Sequence, residues 1–173
     1  MYLVTSNQAK YKEFKYILDS LEIQIVEPKF PIIEPQGSSL EEIARQKAKF
    51  AFDQFSAKVM VDEAGLELSA YPGFPGPMTR FVLKTLGKKG LQKLTQTDNQ
   101  ATMLCVIAYT DGIKTLIWKG NTKGFLNFNK NIDPKGPGPL YSWFISENGS
   151  LAHREQAIFA MQSYVRSKTN GQI

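Results

Sequence analysis

The chain has 173 residues, 42% of them hydrophobic and 12% aromatic. That fits a single folded domain spanning 1–173, built as one body or as two small lobes sharing a core, and excludes a disordered polymer. No apolar run reaches the roughly 20 residues that cross a bilayer. Residues 1–5 lack the basic flank, long apolar stretch and cleavage site of a secretory leader, so a soluble, cytoplasmic protein without a membrane partner is expected. The formal charge of +5 favours polyanionic partners, nucleotides as well as nucleic acid. The basic residues are spread along the chain, however. Their densest group, Lys84, Lys88, Lys89 and Lys93, reads as a solvated helix face, so nucleic acid is not the expected partner. The single cysteine, Cys105, lies in an apolar run and reads as core, which leaves no internal disulfide and no multi-cysteine metal site.

In chain order, residues 2–5 form a short apolar strand that breaks at Ser6-Asn7. A helix follows, with Phe14, Ile17, Leu18 and Leu21 on one stripe and Asn7 as its N-cap. Residues 23–26 read as a strand, and the proline-rich 28–37 as a loop. The clearest helix carries Leu40, Ile43, Ala44, Ala48, Ala51, Phe52 and Phe55 on one face. Ser38 or Ser39 caps it, with Glu41 and Glu42 in the first turn. Residues 58–61 read as a buried strand ending at Asp62-Glu63. Residues 72–77 read as a turn, and 80–86 as a helix. Residues 101–109 and 114–118 form a hairpin closed by Asp111-Gly112. Residues 133–139 are a rigid loop, and 153–164 a last helix. The pattern is mixed α/β.

Three features carry chemistry. Thr5-Ser6-Asn7 with Lys10 stands where a strand turns into a helix, where outward N–H groups and the helix dipole favour an anion. Acids gather at element ends: Glu34 in the proline loop, and Asp62 and Glu63 after a buried strand. Hard divalent cations such as Mg²⁺ need only one or two such carboxylates plus substrate phosphates. His153-Arg154, with the only histidine of the chain, opens the last helix and suits phosphate or carbonyl recognition. Each feature also has a plain structural reading: a capped helix, a solvated turn, a surface pair. A Walker loop, a Gly-x-Ser-x-Gly elbow and a histidine-rich zinc site are all absent from the sequence. Phosphate chemistry by acids, metal and basic residues is the most economical reading.

The order of these segments resembles the inosine triphosphatase (Ham1-like) family. The stretch 5–14, TSNQAKYKEF, resembles its opening Thr-(Gly/Ser)-Asn-x-x-Lys motif and the following helix with Glu. The stretch 34–48 resembles its acid loop feeding a helix that ends in Lys-Ala. Residues 61–66 resemble the acidic strand, 73–77 the turn after it, and Ala152-His153-Arg154 the late Ser-His-Arg. The resemblance implies an elongated twisted sheet with two lobes flanking a central cleft, assembled as a homodimer. It implies hydrolysis of non-standard purine nucleoside triphosphates, such as those of inosine, deoxyinosine and xanthosine, to monophosphate and pyrophosphate with Mg²⁺. On this resemblance Thr5, Asn7, Lys10 and Lys47 hold phosphates, Glu34 and Glu63 bind metal or the attacking water, and Glu63 is the general base. Asp62 supports it or is a second ligand, and His153 and Arg154 line the base pocket.

The chain departs from that pattern in places. Glu63 stands where the family has Asp, Ala152 where it has Ser, and Asn148 where it has Lys. The Gly-Phe-Gly-Tyr-Asp-Pro base motif is replaced by Gly136-Pro137-Gly138-Pro139-Leu140-Tyr141. Tyr141 and Trp143 are the aromatic candidates to stack on a base in its place. A site without the usual hydrogen-bonding groups does not inherit base preference. Two alternatives follow from these departures and from the charge: a nucleotide-binding protein with weak catalysis, and a basic nucleic-acid-binding module.

Overall fold

The computed structural model describes residues 1–5, 7–19, 35–133, 138–149 and 153–169. Among these, the elements in chain order are β1 (Tyr2–Val4), α1 (Gln8–Asp19), α2 (Leu40–Phe55), β2 (Val59–Leu68), β3 (Tyr71–Gly76), α3 (Thr79–Leu94), β4 (Gln100–Thr110), β5 (Thr115–Leu126), α4 (Pro139–Trp143), β6 (Phe144–Ser146) and α5 (His153–Thr169). The strands form one mixed sheet, ordered β1-β2-β4-β5-β6, with β3 also paired to β2. Only the β1–β2 pair is parallel. The expected mixed α/β class is the observed one. The strand expected at 23–26 and most of the loop at 28–37 lie outside the described residues.

Local chemistry accounts for the helix starts. The Lys10 N–H donates to Asn7 Oδ1 at 3.3 Å, so Asn7 caps α1. The Glu42 N–H donates to Ser39 Oγ at 3.1 Å, while Glu42 Oε2 accepts from the Ser38 N–H at 3.0 Å. Ser39 is therefore the cap of α2, in a variant of the reciprocal capping box. The hairpin turn is held by Asp111 Oδ1, which accepts from the N–H groups of Ile113 and Lys114.

Two segments differ from the sequence reading. Residues 72–77 are not simply a turn, because residues 71–76 add an edge strand to the far end of β2; an edge position tolerates proline, which has no N–H to offer a ladder. The strand entering Asp62-Glu63 does not end there. It runs on to Leu68, because β4 pairs with β2 along its whole length, from Val59↔Thr110 to Leu68↔Ala101. The other edge of β2 is different. There β1 covers Val59 to Val61 and β3 covers Leu66 to Leu68, and no described strand pairs with residues 62–65. The acids therefore sit mid-strand beside a gap in the sheet edge among the described residues. Gly65 is required at that gap, since a Cβ there would come within 2.5 Å of the Gly76 carbonyl oxygen.

Strand alternation divides the core. Val59 and Val61 face α2 in a cluster with Ala44, Ala48, Ala51, Val106 and Ala108. The opposite face carries two clusters. One, at the β1 end, joins Met60, Cys105 and Ile107 to Phe14 and Leu18 of α1 and Ala157, Ile158 and Met161 of α5. The other, at the far end, joins Leu66, Leu68 and Met103 to Val82, Leu91, Leu140, Trp143 and Phe144. Asp62 lies between them along β2. Cys105 is core, as expected, with its thiol pushed up to about 12 by burial and then by the Asp62 charge. Lys84, Lys88, Lys89 and Lys93 are exposed along α3, which is the solvated face expected of them.

Candidate active site

The gap in the edge of β2 gathers most of the sequence-predicted residues. From one side comes the turn between β1 and α1. Thr5 is buried, and its Oγ1 accepts from the Asn7 N–H at 3.2 Å, which holds the first turn of the helix in place. From that turn Lys10 reaches Asp62, with Nζ 2.9 Å from Oδ2.

Asp62 is fully buried. Burial by itself would raise its pKa, but Lys10, Arg154 and Lys47 outweigh burial and hold the carboxyl below the usual range. Arg154 Nε lies 3.7 Å from the same Oδ2, and the Arg154 Nη1 is paired with Glu13 of α1. The guanidinium also lies 5.9 Å from the centre of the Phe14 ring. Burial opposes the charge on Arg154, yet Asp62, Tyr141 and Glu13 raise its pKa further, so it stays a cation. Lys10 behaves likewise: burial lowers its pKa and the Asp62 carboxylate more than restores it.

Glu63 points to the other face, toward α2, because neighbouring strand residues alternate. Its Oε1 accepts from Lys47 Nζ at 2.7 Å, and Lys47 also donates to the Asp62 carbonyl at 3.4 Å. The two acids are thus adjacent in sequence and separate in their partners: Asp62 pairs with Lys10 and Arg154, Glu63 with Lys47. The Glu63 side chain keeps 19% of its surface open, whereas that of Asp62 keeps none.

His153 and Arg154 enter from the first turn of α5. That turn lies directly on β5 at Gly120, where a Cβ would come within 1.9 Å of the His153 carbonyl oxygen. The His153 ring is buried, neither of its nitrogens has a hydrogen-bond partner among the described residues, and it lies 6.2 Å from the Tyr141 ring. Burial and the neighbouring Arg154 charge lower its pKa from 6.5 to about 4. A neutral imidazole at neutral pH offers one donor and one acceptor to a ligand. Trp143 lies elsewhere: it is 4% exposed and packed on Phe128 at 5.3 Å in the far cluster. It is therefore core, not a platform open to a base. Glu34 lies outside the described residues. Glu13 was passed over as a site residue by sequence reasoning. Its spacing from Lys10 was the available signal, since i and i+3 share a helix face.

The low pKa of His153 gives a signed expectation. The unfolded chain takes up a proton near pH 6.5 that the folded chain refuses until about pH 4, so this contribution is fully present above 6.5 and lost as pH falls through that window. The loss is up to about 3 kcal/mol at 1.36 kcal/mol per unit. Urea unfolding at pH 7 and pH 5 should show it, and His153→Gln should flatten the difference. An equal pH dependence in both proteins would refute the buried neutral imidazole.

Comparison with known proteins shows the family. The Ham1 family model matches residues 1–138. A dITP/XTP pyrophosphatase of Saccharolobus solfataricus is 31% identical over 96% of this chain and 94% of its own length. A dITP/XTP pyrophosphatase of Ignicoccus hospitalis is 34% identical, with 95% and 96% covered. An inosine triphosphate pyrophosphatase of Pyricularia oryzae is 28% identical, with 96% and 94% covered. Among solved structures, a HAM1 protein from Coxiella burnetii superposes with a TM-score of 0.74 at 24% identity, over 96% of this chain and 98% of that one. A strand–cap–lysine opening, a buried acid mid-sheet, and a His-Arg pair docked on the sheet thus coincide with full-length similarity: the chain belongs to the Ham1 family.

Proposed function

We propose that this protein hydrolyses non-standard purine nucleoside triphosphates, those of inosine, deoxyinosine and xanthosine, to the monophosphate and pyrophosphate. The observation that carries the reading is the convergence at the open edge of β2. There Lys47 holds the partly open carboxylate of Glu63 on one face of the strand, while Lys10 and Arg154 hold the buried Asp62 on the other. The substrate's phosphates lie against the α1 N-terminus, where Asn7 and Lys10 supply N–H dipoles and positive charge, with Lys47 of α2 as a further cation. Glu63 is the general base that takes the proton from the attacking water, and such a base contributes roughly 10²–10⁴-fold. Lys47, already bonded to Glu63, keeps that carboxylate aimed along the edge. Thr5 holds the turn, and His153 and Arg154 meet the base.

The donors fit a hard divalent cation such as Mg²⁺. The partly open carboxylate of Glu63 is an oxygen ligand, and Glu34 is proposed as the second, with substrate phosphates and water completing the shell. When bound, the ion supplies charge against the phosphate oxygens. No cluster of three metal-ligating side chains is found among the described residues, and an ion shared with substrate does not require one. A cytoplasmic homodimer is part of the same proposal. Among the described residues no helix is long and apolar enough to cross a membrane.

One observation favours the weaker alternative, a nucleotide-binding protein with little turnover: the 2.7 Å Lys47–Glu63 contact occupies the base. A single experiment separates the two. Purified protein with Mg²⁺ and a panel of standard and modified triphosphates should release pyrophosphate and monophosphate, fastest from the inosine and xanthosine forms. Thermal stabilisation by those nucleotides without pyrophosphate release would select the binding-only reading.

A further inference from the structure

Resting on that functional reading, we propose that Tyr141 is a positioning residue for Arg154, tying the base-facing arginine to the far half of the molecule. Arg154 belongs to α5, whose body packs in the β1-end cluster through Ala157, Ile158 and Met161. Tyr141 belongs to α4, which packs in the far cluster through Leu140 and Trp143. The Tyr141 side chain crosses between them: its hydroxyl accepts from Arg154 Nη2 at 3.1 Å, and its ring leans on the His153 ring at 6.2 Å.

A guanidinium is planar, so its orientation is set by bonds made at separate edges. Nη1 is held by Glu13 of α1 and Nη2 by Tyr141 of α4, while Nε faces Asp62 of β2. Glu13 belongs to α1 at the β1 end, and Asp62 lies on β2 between the two clusters, so neither ties the arginine to α4. Tyr141 does. A hydroxyl that accepts one hydrogen bond still has its own proton to donate, so the bond to Arg154 leaves a donor beside the two residues that meet the base. Buried Trp143 and Leu140 hold the backbone of α4 rigid behind it. The segment from Gly136 to Tyr141, which lost the family's base motif, thus ends in a residue that reaches the pocket through Arg154.

The test uses untagged full-length protein, Tyr141→Phe and Tyr141→Leu, with inosine triphosphate and Mg²⁺. Calorimetric binding of inosine monophosphate adds a readout without chemistry. A lost hydrogen bond to a charged group corresponds to about tenfold. Tyr141→Phe should therefore raise KM and weaken monophosphate binding by about that factor, while kcat moves less than about twofold. Its melting temperature should stay at the wild-type value. The chain has one histidine, so its imidazole proton signals are unambiguous by NMR. The His153 titration should stay low in the Phe variant, which keeps the ring, and rise toward 6.5 in the Leu variant, which uncovers it to water. Wild-type turnover with an unchanged KM and affinity in Tyr141→Phe would overturn this inference alone. Wild-type protein that neither cleaves the triphosphate nor binds the monophosphate would overturn the functional reading and this inference with it.

Discussion

Replacing Glu63 by Gln is expected to lower kcat for inosine triphosphate by about 10²–10⁴-fold, the range attached to a lost general base, while leaving the fold intact. The amide is nearly isosteric with the carboxylate, and its oxygen can still accept from Lys47 Nζ, now 2.7 Å from Oε1. It cannot take a proton from water. Far-ultraviolet circular dichroism and the melting temperature should match wild type, and nucleotide should still stabilise the variant. Single-turnover pyrophosphate release measures the chemical step directly. Turnover within about threefold of wild type would remove Glu63 from the role of base. Glu63→Asp is the companion variant, because it restores the family's acid at this position. It shortens the reach by one methylene, so it should keep part of the rate, between those of the Gln variant and the wild type.

The opposite signature is expected at the neighbouring position. Asp62 is sealed from solvent and neutralises Lys10, whose side chain is 20% exposed, and Arg154, which is 1% exposed. Asp62→Asn leaves those cations without their shared counter-charge, and breaking a buried pair by removing one partner costs about 3–5 kcal/mol. At about 2–4 °C per kcal/mol for a chain of this size, the melting temperature should fall by about 6–20 °C. Adding Lys10→Met should recover part of the loss, since removing both charges abolishes the uncompensated one. Recovery distinguishes an electrostatic effect from simple misfolding, and a melting temperature within about 2 °C of wild type in Asp62→Asn would refute the anchoring role. The pH dependence separates this effect from that of His153. A carboxyl held below its ordinary pKa contributes fully above that ordinary value and loses its contribution only as pH falls through the lowered one. The Asp62→Asn loss should therefore be the same at pH 7 and pH 5, whereas the His153 contribution changes between them.

The contrast between these two acids marks what each level of description contributes. Along the sequence, Asp62-Glu63 is one acidic pair after an apolar run, and sequence reasoning placed both acids at the end of the strand. Hydrophobic periodicity carried the helices. The stripe through Leu40, Ile43, Ala44, Ala48 and Ala51 is the buried face of α2, because burial on one side of a 3.6-residue repeat writes itself directly into the residue pattern. Caps at Asn7 and Ser39 were legible for the same reason: a side chain that serves its own backbone three residues on is a local event. Thr5, Asn7, Lys10 and Lys47, and the His153-Arg154 pair, stood out along the chain because short motifs recorded them in order.

Pairing across the sheet was not legible, because it is a relation between distant segments. Only the register of β2 on β4, with β1 and β3 stopping short on the other edge, shows why the acids lie mid-strand beside a gap. Only strand alternation within that sheet sends Asp62 toward Lys10 and Arg154 and Glu63 toward Lys47. Trp143 and Tyr141 made equal candidates by composition. The packing of α4 turned one into the far cluster against Phe128 and the other toward Arg154. The sequence by itself determined the α/β class, the helices α1, α2 and α5, the caps of α1 and α2, and the family. The tertiary structure decided which acid is buried, which stays open to water, and which aromatic meets the arginine, since burial and charge pairing depend on elements brought together from up to 141 positions apart, as in the Arg154–Glu13 pair.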